Sequence, residues 1–308
     1  MSFIELESLT SAELLELLDT AEQFLDGDRL IVPPQFQNSL EGKAVALLFF
    51  EPSTRTRVSF ELAAKRLGAV CVQLGEVGSS LEKGETILDT CRNLEAMGVD
   101  AFVVRHNARE VPYILDQSLE TPIINAGNGA GEHPSQGLLD ALSLRRAIGD
   151  RDGMLVGKKV AIIGDIIHSR VARSNVHALT KLGAQVVLGG PPMMVPKSGA
   201  ESWGGVEVVT SRRAALESAD AVMVLRIQRE RMDASMIDVD GYVREWCVDE
   251  RVARDELATH AKIMHPGPVI RGVELTSEVA DGARSLILDQ VRCGVAVRQA
   301  ILLSALAQ

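Results

Sequence analysis

The stretch that most constrains this chain is Phe49-Phe50-Glu51-Pro52-Ser53-Thr54-Arg55-Thr56-Arg57-Val58-Ser59-Phe60-Glu61. Before it, the apolar run from Lys43 to Phe50 reads as a buried strand. After it, Val58, Leu62, Lys65 and Arg66 open a helical pattern. Pro52 fixes the turn, and Ser53 or Thr54 stands where a helix N-cap belongs. The first N–H groups of a helix have no partner within it, and the helix dipole there favours an anion. Ser53, Thr54 and Thr56 add hydroxyl donors and Arg55 a planar fork, so the stretch reads as a phosphate cradle. A capped surface helix with ordinary charges is the plainer reading. It does not account for hydroxyl-hydroxyl-Arg-hydroxyl-Arg directly after a buried strand.

The rest of the chain alternates in the same way. Thr10-Ser11-Ala12-Glu13 is a capping-box pattern opening a first helix, and Arg29 to Leu40 reads as a loop. Strands are expected at 43–50, 69–74, 100–104 and 121–125, with helices at 54–67, 85–97 and 134–148. After a polar break at Asp150 to Gly157, the pattern restarts at Lys158. Further strands are expected at 184–189, 206–209, 220–225 and 261–264, and a closing helix within Ser285 to Ala307. The fold class is therefore α/β, two domains each with a parallel sheet flanked by helices.

Composition narrows the function. The 308 residues carry a net charge of −10, which speaks against a nucleic-acid or membrane-surface partner. An anionic substrate would need cations gathered locally, and the chain offers Arg55, Arg57, Lys83, Arg105, Arg170, Arg173, Arg226 and Arg229. No apolar run has the length of a membrane span, and the acidic start from Met1 to Glu7 is unlike a secretory signal. Cys71, Cys91, Cys247 and Cys293 are scattered, so no zinc site or disulfide framework is expected and a cytoplasmic setting fits. Gly164-Asp165-Ile166-Ile167-His168-Ser169-Arg170 follows a strand but holds one glycine, which weakens a dinucleotide reading; no cofactor or metal is expected.

Together these motifs resemble the transcarbamoylases over nearly the whole chain. The cradle is similar to their carbamoyl-phosphate signature, and Gly164-Asp-x-x-x-Ser-Arg170 to the turn of the aspartate type. The resemblance implies carbamoyl-phosphate binding by Ser53, Thr54, Arg55, Thr56, Arg105, His133 and Gln136, and by the carbonyls of Pro266 and Gly267 in His265-Pro-Gly-Pro268, with a cis peptide before Pro268. It implies aspartate binding by Lys83, Arg170, Arg226 and Gln228, with Arg229 and Arg231 as a solvated run. Arg55, Thr56, Lys83, Arg105 and His133 would be catalytic, His133 as a neutral ring at a helix start. Ser79, or Ser80 beside it, and Lys83 would come from a neighbouring chain, implying a homotrimer with shared sites. The domains would be 1–131 for carbamoyl phosphate, with helix 286–308 packing back on it, and 132–285 for aspartate.

The reaction so implied is carbamoyl transfer to L-aspartate, giving N-carbamoyl-L-aspartate for pyrimidine biosynthesis. The resemblance leaves room for separate regulatory or dihydroorotase chains as partners. Three alternatives stand beside it. One is an ornithine or other amino-acid transcarbamoylase, although His-Pro-Gly-Pro and Arg-x-Gln favour aspartate. The others are a nicotinamide-dependent dehydrogenase and a catalytically silent scaffold.

Overall fold

The computed structural model describes residues 1–75, 84–197, 203–228 and 238–306. The chain forms two compact units, Met1–Leu139 with Arg292–Gln308, and Asp140–Val291.

The first unit opens with helix α1 (Ser11–Glu22), whose Thr10 and Glu13 form the expected reciprocal capping box. A short hairpin follows, β1 (Leu25–Asp26) and β2 (Arg29–Leu30), then a 3-10 turn at Pro34–Phe36; β2 and the turn fall within the expected loop. Then come β3 (Ala44–Phe49), α2 (Thr54–Arg66), β4 (Val70–Gly75), α3 (Ile87–Ala96), β5 (Ala101–His106), α4 (Val111–Ser118) and β6 (Ile123–Asn128). The four longer strands pair in parallel in the order β4-β3-β5-β6. Phe3 adds a parallel bridge beside Ile124. Helix α2 buries Thr56, Phe60, Ala63 and Ala64. That is a different face from the one marked by Val58 and Leu62, which are exposed.

Helix α5 (Pro134–Ile148) leads into the second unit. It continues with β7 (Lys159–Ile163), α6 (Arg170–Lys181), β8 (Gln185–Gly189), β9 (Glu207–Val209), α7 (Arg212–Leu216) and β10 (Ala221–Val224). Next are α8 (Val239–Trp246), α9 (Glu250–Asp255), β11 (Lys262–Met264), α10 (Ser277–Ala280) and the closing α11 (Ile287–Leu306). This sheet is also parallel throughout, in the order β11-β10-β7-β8-β9. Its core gathers Ala161, Ile163, Val222 and Val224 under Tyr242, Trp246 and Leu275.

Both sheets use one device to start a central strand. Asp100 precedes β5, and its Oδ2 accepts the N–H of Ala44 at 2.8 Å while its own N–H donates to the Ala44 carbonyl. Asp220 precedes β10 and does the same with Lys159, its Oδ2 accepting the N–H at 2.9 Å. Each carboxylate satisfies a donor that the ladder leaves over, and so fixes the register of two neighbouring strands. Asp220→Ala strands that donor and should lower stability by about 1–3 kcal/mol. The check is a downward shift of the urea midpoint of the transition assigned to the second unit.

Candidate active site

Parallel strands send all their carboxyl ends to one edge of a sheet, where such folds bind ligands. In the first unit β3 ends at Phe49, and α2 starts at Thr54 with Ser53 as its N-cap residue. The Ser53 side chain makes no capping hydrogen bond, so its hydroxyl is not committed to the helix's own N–H groups. Thr56 is buried on the first turn of α2, and its Oγ1 lies 3.4 Å from Nε2 of the buried His133. The His133 carbonyl accepts the N–H groups of Gln136 and Gly137, which puts this histidine at the start of α5. Two helix N-termini therefore meet through one hydroxyl–imidazole contact, and Gln136 is buried on the first turn of the second. The glycine-rich approach is required sterically. Gly129 holds φ +49°, and a Cβ there would lie 2.2 Å from the Asn107 carbonyl oxygen.

Arg105 closes this half-site. It pairs with Phe49 in register near the end of β5. Its Nη1 donates to the Ala126 carbonyl at 3.2 Å, and its Nε lies 3.5 Å from the Glu51 carboxylate. Glu51 thus steers the arginine from the turn that carries the cradle. Arg55 is surface-exposed yet partly desolvated, which lowers its pKa.

In the second unit β7 ends at Ile163, and the following turn delivers Arg170 as the first residue of α6. Ser169 caps that helix by accepting the Ala172 N–H at 3.1 Å. Gly164 again has no alternative, because a Cβ there would meet the Leu225 carbonyl oxygen at 2.5 Å. Strand β10 stops at Val224, so Arg226 and Gln228 lie beyond it rather than on it. Their alternation persists all the same, with Arg226 and Gln228 half-buried around a buried Ile227.

What joins the two segments is Asp165, fully buried. Its Oδ1 lies 2.8 Å from His168 Nδ1, and its Oδ2 accepts the Gln228 N–H at 3.1 Å. The Gln228 side chain donates back to the His168 carbonyl at 2.8 Å. The Arg170 turn and the Arg226–Gln228 segment are thereby tied together. The third segment is the turn after β11, where the Gly267–Pro268 peptide is cis as expected. Ser79, Ser80, Lys83, Arg229 and Arg231 lie outside the described residues. Sequence reasoning passed over Glu51 and Asp165, acids among the cations of the candidate site. The available signal was that an acid so placed must serve N–H donors rather than the ligand.

Comparison with known proteins places these segments. Residues 1–146 match the family described as aspartate/ornithine carbamoyltransferase, carbamoyl-P binding domain, and residues 156–305 match its Asp/Orn binding domain. The chain belongs to this carbamoyltransferase family. It is 51% identical over 292 residues to the aspartate carbamoyltransferase catalytic subunit of Myxococcus xanthus, with 94% of each chain covered. To the subunit of the same name from Koribacter versatilis it is 48% identical, covering 100% of this chain and 97% of that one. Among solved structures it resembles the Trypanosoma cruzi aspartate transcarbamoylase in complex with N-(phosphonacetyl)-L-aspartic acid. The TM-score is 0.85 and the identity 29%, covering 98% and 95% of the two chains. An ornithine carbamoyltransferase from Pyrococcus furiosus matches with a TM-score of 0.86 at 29% identity, covering 99% and 97%.

For this member of the family, the cradle of the first unit should bind inorganic phosphate, more weakly as salt rises. Arg55→Ala removes a charge-assisted donor and should weaken that binding about tenfold to a hundredfold, as read by calorimetric titration.

Proposed function

We propose that the chain transfers the carbamoyl group of carbamoyl phosphate to the amine of L-aspartate, giving N-carbamoyl-L-aspartate and phosphate, a step of pyrimidine biosynthesis. The observation that carries this reading is the Asp165 tie, which keeps two arginine-bearing segments of the second unit in register. A dicarboxylate calls for two guanidinium forks. Ornithine would present an ammonium group in place of the second carboxylate, and two arginines disfavour it.

On this reading the first unit binds carbamoyl phosphate and the second binds aspartate. Ser53, Thr54, Arg55, Thr56 and the start of α2 hold the phosphate. Thr56, Arg105 and His133 donate to the carbamoyl oxygen, and each such donor contributes about 3–4 kcal/mol as negative charge develops there. Gln136 and the carbonyls of Pro266 and Gly267 orient the carbamoyl amino group. Arg170, Arg226 and Gln228 hold aspartate, with Lys83. The amine forms the new C–N bond as the C–O bond to phosphate breaks. The departing phosphate takes the amine proton, so no protein base is needed. Positioning supplies much of the remaining acceleration.

Ser79 and Lys83 are proposed to come from a neighbouring chain of a homotrimer. In support, β4 is an edge strand packed against α2, and Val70 on the strand and Val58 and Leu62 on the helix are exposed, apolar surface that a second copy would cover. The four cysteines are free, which suits a reducing, cytoplasmic setting. Among the described residues, no helix is long and apolar enough to cross a membrane.

Three assays test the reading. With aspartate the protein should form carbamoyl aspartate, and with ornithine no citrulline; the reverse preference would refute the assignment. His133→Ala should lower kcat about 10²- to 10³-fold. Mixing Arg55→Ala chains with Lys83→Ala chains should restore activity, since a hybrid assembles one intact site. Verified hybrids without recovery would refute the shared site.

A further inference from the structure

The turn His265-Pro266-Gly267-Pro268 is held by a buried network that the proposed reaction does not itself use. His265 and Glu274 have fully buried side chains, with Nε2 of the imidazole 3.1 Å from Oε1 of the carboxylate. The Gly267 N–H donates to His265 Nδ1 at 2.8 Å. That bond makes Nδ1 the acceptor, so the ring proton sits on Nε2 and points at Glu274. The same Oε1 accepts the Ile270 N–H at 2.7 Å. One carboxylate oxygen thus grips the chain on both sides of the turn.

The start of the turn is fixed as well. The His265 N–H donates to Gln290 Oε1 at 3.0 Å, and the Gln290 amide donates to Asp140 Oδ1 at 2.7 Å. The other Asp140 oxygen accepts from Asn175 Nδ2 at 2.8 Å. Helices α5, α6 and α11 therefore all bear on one peptide N–H. Within the turn neither proline has an N–H, and that of Gly267 is committed to His265. Among the described residues no backbone donor takes the carbonyls of Pro266 or Gly267, and both residues are half-buried. The turn is left as an acceptor surface.

A buried carboxylate is costly unless it is well bonded. Oε2 of Glu274 has no hydrogen-bond partner among the described residues. An apolar side chain would fill the same space without that cost, so packing alone does not explain an acid here. We infer that Glu274, acting through His265, is a positioning residue that aims the Pro266 and Gly267 carbonyls at the carbamoyl amino group. The inference rests on the reading of this turn given under the proposed function.

The test compares the unmodified protein with Glu274→Ala, Glu274→Gln and His265→Asn. For each, kcat and KM for carbamoyl phosphate are measured beside the inhibition constant of inorganic phosphate, whose cradle lies on α2. Glu274→Ala frees both sides of the turn and should lower kcat/KM for carbamoyl phosphate about 100-fold, with phosphate inhibition unchanged. Glu274→Gln keeps a carbonyl oxygen for the Ile270 N–H and should recover most of the loss. His265→Asn keeps an acceptor for Gly267 but does not reach Glu274. It should show the same split, and it decides the matter if the alanine variant does not fold. Unchanged kcat and KM in the folded variants would overturn the inference. So would phosphate affinity falling in parallel with activity, or a Gln variant no better than Ala. Inactivity of the unmodified protein towards aspartate would instead overturn the proposed reaction, and this inference with it.

Discussion

The proposed function depends on how a chain of net charge −10 gathers cations and helix starts in a few places. It does so at the carboxyl ends of parallel strands. The cradle follows β3, Arg105 lies near the end of β5, and His133 follows β6. In the second unit Arg170 follows β7, Arg226 follows β10, and the proline-rich turn follows β11. Within each unit, then, parallel pairing gathers side chains distant in sequence to one sheet edge. Helix starts at Ser53, His133 and Ser169 bring first-turn N–H groups and the positive end of a helix dipole to that edge. Local positive potential is built from backbone geometry and a few guanidinium groups while the molecule as a whole stays acidic.

Acids are part of the same construction. Glu51 stands against Arg105, Asp165 joins the two arginine-bearing segments, and Glu274 grips the turn after β11. Asp100 and Asp220 fix the strands beneath. Asp165, Glu274, Asp100 and Asp220 accept backbone N–H groups, which commits each carboxylate to the fold. On the proposed reading their placement sets geometry, and the cations and hydroxyls supply the attraction for the substrates. Loss of one brace would misdirect several donors together, so neighbouring substitutions at these sites should not act additively.

Much of this was legible in the sequence because the signals were local. A buried strand running into hydroxyls and arginines is read from thirteen consecutive residues, Phe49 to Glu61. The capping box at Thr10 and the one-glycine turn at Gly164 are equally compact. What escaped depended on distant partners. The helical spacing of Val58 and Leu62 marks α2 but not its buried face, which is made by Thr56, Phe60, Ala63 and Ala64. The end of β10 at Val224 was overshot because Leu225 and Ile227 stay buried after pairing stops. Helix α4 is short and has a proline in its first turn, so its pattern is weak. Asp165 and Glu274 become meaningful only with Gln228 and His265 beside them.

The central claim is that two anionic reactants are held by these particular groups. The most direct measurement is a crystal structure with a bisubstrate phosphonate analogue joining a phosphonate to an aspartate skeleton. The account requires the phosphonate on Ser53, Thr54, Arg55, Thr56 and Arg105, the carbonyl oxygen within reach of Thr56 and His133, and the carboxylates on Arg170 and Arg226. A phosphonate bound elsewhere, or carboxylates that leave both Arg170 and Arg226 untouched, would contradict it.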